Sequence, residues 1–243
     1  MARRIKAFLY RVLGQRWYLF LVSQLFFLAY RTGLLRDDPE YACHYYVHRF
    51  VEPGDTVIDI GANLGYYTVL FAEWVGREGQ VYSVEPVPLF REILQRNAGS
   101  FSQVEVVPYA LGGEPATVQM GVPETAAPHR HGMTRIVSSE EDATFKAEVR
   151  PPEALFGDLF HLDYVKCDVE GYEGEVLPAM KTLIREHRPV VQVEVAAENR
   201  HRIFQMMAKL GYRAYFVRGE ELVEIQSPDD PTEGDWIFRP ESG

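Results

Sequence analysis

The chain has 243 residues, 47% hydrophobic and 13% aromatic, which suits one α/β domain with an extension, or at most two small domains. Its formal charge of −10 is uneven: residues 1–36 hold seven Lys/Arg and no acid, leaving 18 basic against 35 acidic residues, or −17, in residues 37–243. An acidic body argues against a nucleic-acid substrate, and two cysteines, Cys43 and Cys167, are too few for a disulfide framework or a cysteine zinc site and fit a reducing, cytoplasmic compartment.

Trp17 to Tyr30 is a 14-residue run broken only by Ser23 and Gln24, short of the roughly 20 apolar residues that span a bilayer. Leu28-Ala29-Tyr30-Arg31 offers no small-x-small cleavage pattern. The expectation for residues 1–36 is helix packed against protein, at a homodimer contact. Peripheral contact with the cytoplasmic face of a membrane is the alternative, given the basic flanks and terminal aromatics. Asp37-Asp38-Pro39 reads as a helix start within residues 36–49. A domain boundary is expected near residue 50, separating the extension (1–50) from the main domain (51–243).

From Asp55 the rhythm changes to strand, turn and helix. Val57 to Ile60 is an apolar strand, Gly61 and Gly65 punctuate a loop, and a helix runs to about Val75. Gln80 to Glu85 is a second strand stopped by Pro86, Leu89 to Ala98 an amphipathic helix, and Val104 to Val107 a third strand. Residues 113–152 break the pattern. Short strands are expected at Thr117 to Met120 and Lys146 to Arg150, around a polar stretch from Pro123 to Asp142. Asp163 to Asp168 is a fourth strand, followed by a helix from Glu175 to His187, a strand from Pro189 to Val195 and a helix from Asn199 to Leu210. Three short strands close the chain and pair antiparallel at one edge. This alternation indicates an α/β fold: a mostly parallel sheet covered by helices on both faces.

The chemistry gathers at strand ends. Gly61 and Gly65 let a ligand approach the start of a helix. Glu85 follows Asp59 by 26 residues and ends the next strand, where an acid accepts hydrogen bonds from ribose hydroxyls. Asn63 stands where a dinucleotide loop wants its middle glycine, which favours S-adenosylmethionine over a pyrophosphate-bearing cofactor. Thr68, at the start of the helix, belongs with Asp59, Gly61, Asn63 and Gly65 as a cofactor-binding residue. In the stretch 164–173, Lys166 and Asp168 share one strand face, and Asp168 and Glu170 sit on the same rim as Asp59 and Glu85. These are the candidate catalytic residues: Asp168 or Glu170 takes a proton from the acceptor, and Lys166 keeps one of them ionised. No spacing specifies a metal, and none is expected; His129 and His131 read as solvated loop residues.

Asp-Ile-Gly-Ala-Asn-Leu-Gly-Tyr-Tyr-Thr (59–68), Val-Glu-Pro (84–86), Ala-Leu-Gly (110–112) and Lys-Cys-Asp-Val-Glu-Gly-Tyr-Glu (166–173) together resemble the FkbM family of S-adenosylmethionine-dependent methyltransferases. The resemblance spans roughly residues 50–217. It implies a Rossmann-like class I fold with a seven-stranded sheet, and methylation of a hydroxyl on a sugar, glycolipid or natural product. It also implies that Asp59, Gly61, Asn63 and Gly65 line the methionine end of the cofactor, Glu85 holds its ribose, Ala110 lies near its adenine, and Asp168 and Glu170 are the signature acids. Cys167 departs from the aliphatic residue usual there, and Gly132-Met133-Thr134 from the usual serines. The competing readings are a nicotinamide-dependent oxidoreductase and a membrane-tethered nucleoside-binding module without catalysis.

Overall fold

The computed structural model describes residues 2–121, 135–136, 145–232 and 234–241. The expectations for His129, His131 and Thr134 lie outside them. The chain opens with α1 (Ala2–Arg31), two helical segments joined at Gly14, whose φ of 71° only glycine adopts at little cost. A helical stretch, Phe8–Arg31, is long and apolar enough to cross a membrane by length and composition. This corrects the span estimate, because Phe8, Leu9, Val12 and Leu13 continue the apolar run below Trp17. Residues 36–49 do not form one helix. A 3-10 turn at Pro39–Tyr41, capped by Asp38 through the Glu40 amide, leads into α2 (Ala42–Tyr46) and a second 3-10 turn at Val47–Phe50.

The domain then follows the strand–helix rhythm: β1 (Thr56–Ile60), α3 (Tyr66–Val75), β2 (Gln80–Val84), α4 (Pro88–Ala98) and β3 (Val104–Val107). Next come β4 (Ala110–Leu111), β5 (Ala116–Gly121), β6 (Arg135–Ile136), β7 (Phe145–Arg150) and α5 (Pro152–Phe156). The chain continues through β8 (Tyr164–Cys167), α6 (Glu173–Ala179), α7 (Lys181–His187), β9 (Val190–Glu194) and α8 (Arg200–Lys209). It ends with β10 (Tyr212–Arg218), β11 (Glu221–Ile225) and β12 (Asp235–Pro240). The single helix expected from Glu175 to His187 is two, α6 with Pro178 inside it and α7, which meet at Met180.

The main sheet runs β11-β10-β12-β9-β8-β1-β2-β3. Pairings from β3 to β9 are parallel, while β12, β10 and β11 join antiparallel as expected. Seven strands make the anticipated Rossmann-like class I sheet, and β11 adds an eighth as the outer arm of a hairpin. Alternation along the strands divides the core. Ile58, Ile60, Val165 and Cys167 pack toward α6, α7 and α8, whereas Val57 and Tyr164 pack toward α3 and residues 43–51. The extension thus shares a core with the domain. The strands expected at Thr117 to Met120 and Lys146 to Arg150 form as β5 and β7, and with β4 and β6 they make a second sheet, β4-β7-β5-β6.

Candidate active site

The parallel register aligns Asp59 with Ser83 on one side and Lys166 on the other, all buried. Asp59 Oδ2 accepts a hydrogen bond from Thr68 Oγ1 at 2.7 Å, and Thr68 Oγ1 accepts one from Ser83 Oγ at 3.0 Å. Lys166 Nζ lies 4.0 Å from Asp59 Oδ1 and donates to Asp168 Oδ2 at 3.0 Å. Burial by itself lowers the lysine's proton affinity, but Asp168, Asp59 and Asp235 more than reverse this and hold it cationic. Burial opposes ionisation of Asp168, yet Lys166 keeps that carboxyl below its usual value.

Above this row lies the glycine loop. A Cβ on Gly61 would fall 1.8 Å from the Asp168 carbonyl oxygen, so only glycine lets β1 pass the end of β8. Gly65 is left-handed at the start of α3, and a Cβ there would meet Leu94 at 2.7 Å. Glu85 is buried and ties the loop to the next one, accepting from the Asn63 amide at 2.7 Å and the Val87 amide at 2.8 Å. Burial pushes its carboxyl up to about 7. Asn63 has a φ of 52°, and its side-chain Oδ1 is buried with no hydrogen-bond partner among the described residues.

Two adjoining pockets share Gly61, Pro86, Met120, Val169 and Glu170, and so form one crevice. Its larger part, about 220 Å³, is apolar and includes Val84, Ala110, Leu111 and Val176; the smaller adds Asn63, Glu85 and Asp168. Met120 of β5 and Ala110 of β4 show what the second sheet does: it walls this crevice. The structure therefore brings Gly61, Asn63, Glu85, Ala110, Asp168 and Glu170 to one opening. Asp59, Thr68 and Lys166 are not on it; they form the buried row beneath, and Gly65 starts the helix behind.

Glu170 and Gly171 are both left-handed, with φ of 53° and 92°. Buried Glu173 holds this turn by accepting from the Val169 and Gly171 amides at 3.0 Å each. Glu170 itself is left free to line the crevice. Partial desolvation, with Asp168 and Glu173 nearby, raises the carboxyl of the exposed Glu170 to about 7.

Sequence reasoning missed Glu194 and His44. Carboxylate oxygens of Asp168, Glu170 and Glu194 lie within 4.8 Å of one another. Partial desolvation and the hydrogen-bonded Asp168 raise the carboxyl of Glu194, at the exposed end of β9, to about 9, so it keeps its proton while Asp168 is charged. That proton relieves the repulsion within the trio. Glu194 ends β9, and the strand-end rule that found Glu85 and Asp168 applies to it equally. His44 left no such signal, because it reaches the site from the extension. Its ring stacks on Tyr67 at 4.0 Å, and Lys166 Nζ lies 4.9 Å from the Tyr67 ring centroid. Burial, with Lys166 adding to it, lowers His44 to about 3 and keeps it neutral; its Nδ1 is buried with no hydrogen-bond partner among the described residues. His44, Tyr67, Asp168, Glu194 and Asp235 line a second cavity of about 650 Å³, which meets the crevice at Asp168.

A family model described as a methyltransferase FkbM domain matches residues 59–214. The chain belongs to the FkbM methyltransferase family. The cofactor of such a domain is S-adenosylmethionine, and the residues present fit it. The apolar slot suits an adenine, Glu85 has acceptor capacity for ribose hydroxyls, and the orphaned Asn63 Oδ1 suits an ammonium donor. An FkbM methyltransferase of Methylobacillus flagellatus KT is similar in fold, with a TM-score of 0.50, 18% identity, and coverage of 87% of this chain and 58% of that one. A protein-L-isoaspartate O-methyltransferase of Aeropyrum pernix is 35% identical over 79 residues, 32% of this chain and 29% of that protein. One from Archaeoglobus fulgidus is 39% identical over 66 residues, 26% of this chain and 31% of that protein. The chain thus spans under a third of the length of these two curated relatives.

Proposed function

We propose that this FkbM-family chain is an S-adenosylmethionine-dependent O-methyltransferase acting on a hydroxyl of a sugar, glycolipid or natural product. The observation that carries the reading is the position of Asp168, which borders both the crevice and the 650 Å³ cavity. A cofactor held in the first and an acceptor held in the second would both lie beside that carboxylate. When bound, S-adenosylmethionine supplies an electrophilic methyl group on a sulfonium. The chain's own residues do the rest. Glu85, Asn63 and the slot at Ala110 orient the donor, and the cavity walls hold the acceptor. Asp168, which Lys166 keeps ionised, would take the proton of the acceptor hydroxyl as its oxygen replaces sulfur on the methyl carbon, the thioether nucleoside leaving neutral. Neutral His44 offers a buried ring nitrogen as a hydrogen-bond partner for the acceptor.

The test has two arms. Calorimetry with S-adenosylhomocysteine and with nicotinamide nucleotides should show binding of the first alone; the reverse pattern would revive the oxidoreductase reading. A metabolite extract incubated with methyl-labelled S-adenosylmethionine should yield a labelled product whose label resists mild base, as an ether does and an ester does not. Binding without transfer to any extract would leave the nucleoside-binding module as the better account.

A further inference from the structure

The second half of α1 has two unlike faces. One is sealed onto the domain: Tyr18, Leu19, Ser23 and Phe27 are buried, packing with Leu64, Phe90, Ile93 and Leu94 or their neighbours. Asn97 of α4 donates to Ser23 Oγ at 2.9 Å, Arg16 pairs with Glu92, and Arg31 pairs with Glu73. The other face is apolar and open. Trp17, Leu25 and Leu28 are 54–60% exposed, and Phe8 and Val12 before the Gly14 kink are 65% and 63% exposed. Of the eight large hydrophobic side chains exposed among the described residues, seven lie between Phe8 and Leu34; Phe160 is the other. A soluble surface rarely gathers them so.

Charge indicates what covers this face. The segment carries seven cations and no anion, and Arg96 of the domain adds another, 5.0 Å from the exposed Trp17 ring. The remaining chain carries −17. An anionic surface therefore attracts this edge and repels the body, which sets one orientation. We infer that α1 lies flat on an anionic lipid bilayer, its outer apolar face in the headgroup boundary and its inner face on the domain. Lying rather than crossing follows from the inner face: spanning would strip Tyr18, Leu19, Ser23 and Phe27 from their partners and draw the Arg16–Glu92 pair apart.

The experiment is flotation of the full-length chain with mixed phosphatidylcholine–phosphatidylserine vesicles, against phosphatidylcholine alone. The expected result is flotation with the anionic vesicles only and release by alkaline carbonate. Trp17→Gln with Leu28→Gln alters exposed side chains, so the fold should survive, as a thermal melt checks, while flotation is lost. Arg3→Ser, Arg4→Ser and Lys6→Ser together should lower the partition coefficient roughly 100-fold, at about fivefold per cation. Three results overturn the inference: no flotation with anionic vesicles, retention after carbonate, or a dimer by light scattering that the Trp17/Leu28 variant dissolves without any vesicle binding. The last would make a second copy the occupant of this face.

Discussion

Glu85 has both carboxylate oxygens engaged by main-chain amides, those of Asn63 and Val87, so its removal loosens the loop as well as any ribose contact. Glu85→Ala is expected to weaken S-adenosylhomocysteine binding by about 1–3 kcal/mol, measured by calorimetry, with the loop amides left unpaired. Asp168→Asn removes the group that joins crevice and cavity, and the expected loss in turnover is more than roughly tenfold, the low end of general-base contributions. Glu170→Gln, which leaves the Lys166–Asp168 pair in place, should keep the fold and lose less. Equal, wild-type rates in both would make the pair structural. Protonation offers an independent check on Glu194. Its folded value is raised to about 9 from an ordinary 4.5, so its contribution to stability is full at low pH and is lost as pH rises toward 9. The melting temperature of the ligand-free protein should therefore fall between neutral pH and pH 9, and Glu194→Gln should flatten that slope. A wild-type melting temperature that rises across the window would refute the assignment.

At the scale of elements, α1 and the cofactor loop are joined through one side chain. Asn97 Nδ2 donates to Ser23 Oγ at 2.9 Å and to the Leu64 carbonyl at 2.7 Å, linking the helix to the loop between Gly61 and Gly65. Asn97→Ala leaves that carbonyl without this donor. The expected cost is about 1–3 kcal/mol in denaturant unfolding, with weaker cofactor binding alongside. Asn97→Asp keeps an acceptor but loses the donor, so it should not rescue. Leu19 is 1% exposed in the same seam, and Leu19→Ala should cost about 2–5 kcal/mol, as deletion of a buried leucine side chain does. The kink in α1 has a backbone reason readable at a single residue, Gly14, whose positive φ breaks the helical path.

For the whole molecule, the extension is part of the fold. Cys43, Val47 and Val51 pack with Val57, Phe71 and Tyr164 in one core, and His44 reaches the site from the same stretch. Deleting residues 1–36 should therefore lower the melting temperature, since Leu64, Phe90 and Ile93 lose their cover; an unchanged melt would show α1 to be dispensable. The order of strands and helices, the rim of acids at Glu85 and Asp168, and the family were all legible in the chain, because strand alternation, glycine loops and strand-end acids are local patterns. Glu194 was legible by the same rule and was passed over. What only the tertiary structure decided is who shares a surface. The register of β1 against β8 buries Asp59 and Lys166 below the crevice, the second sheet supplies Met120 as a wall, and packing of residues 39–46 delivers His44 to Asp168. Those contacts join residues far apart in sequence, and no local periodicity encodes them.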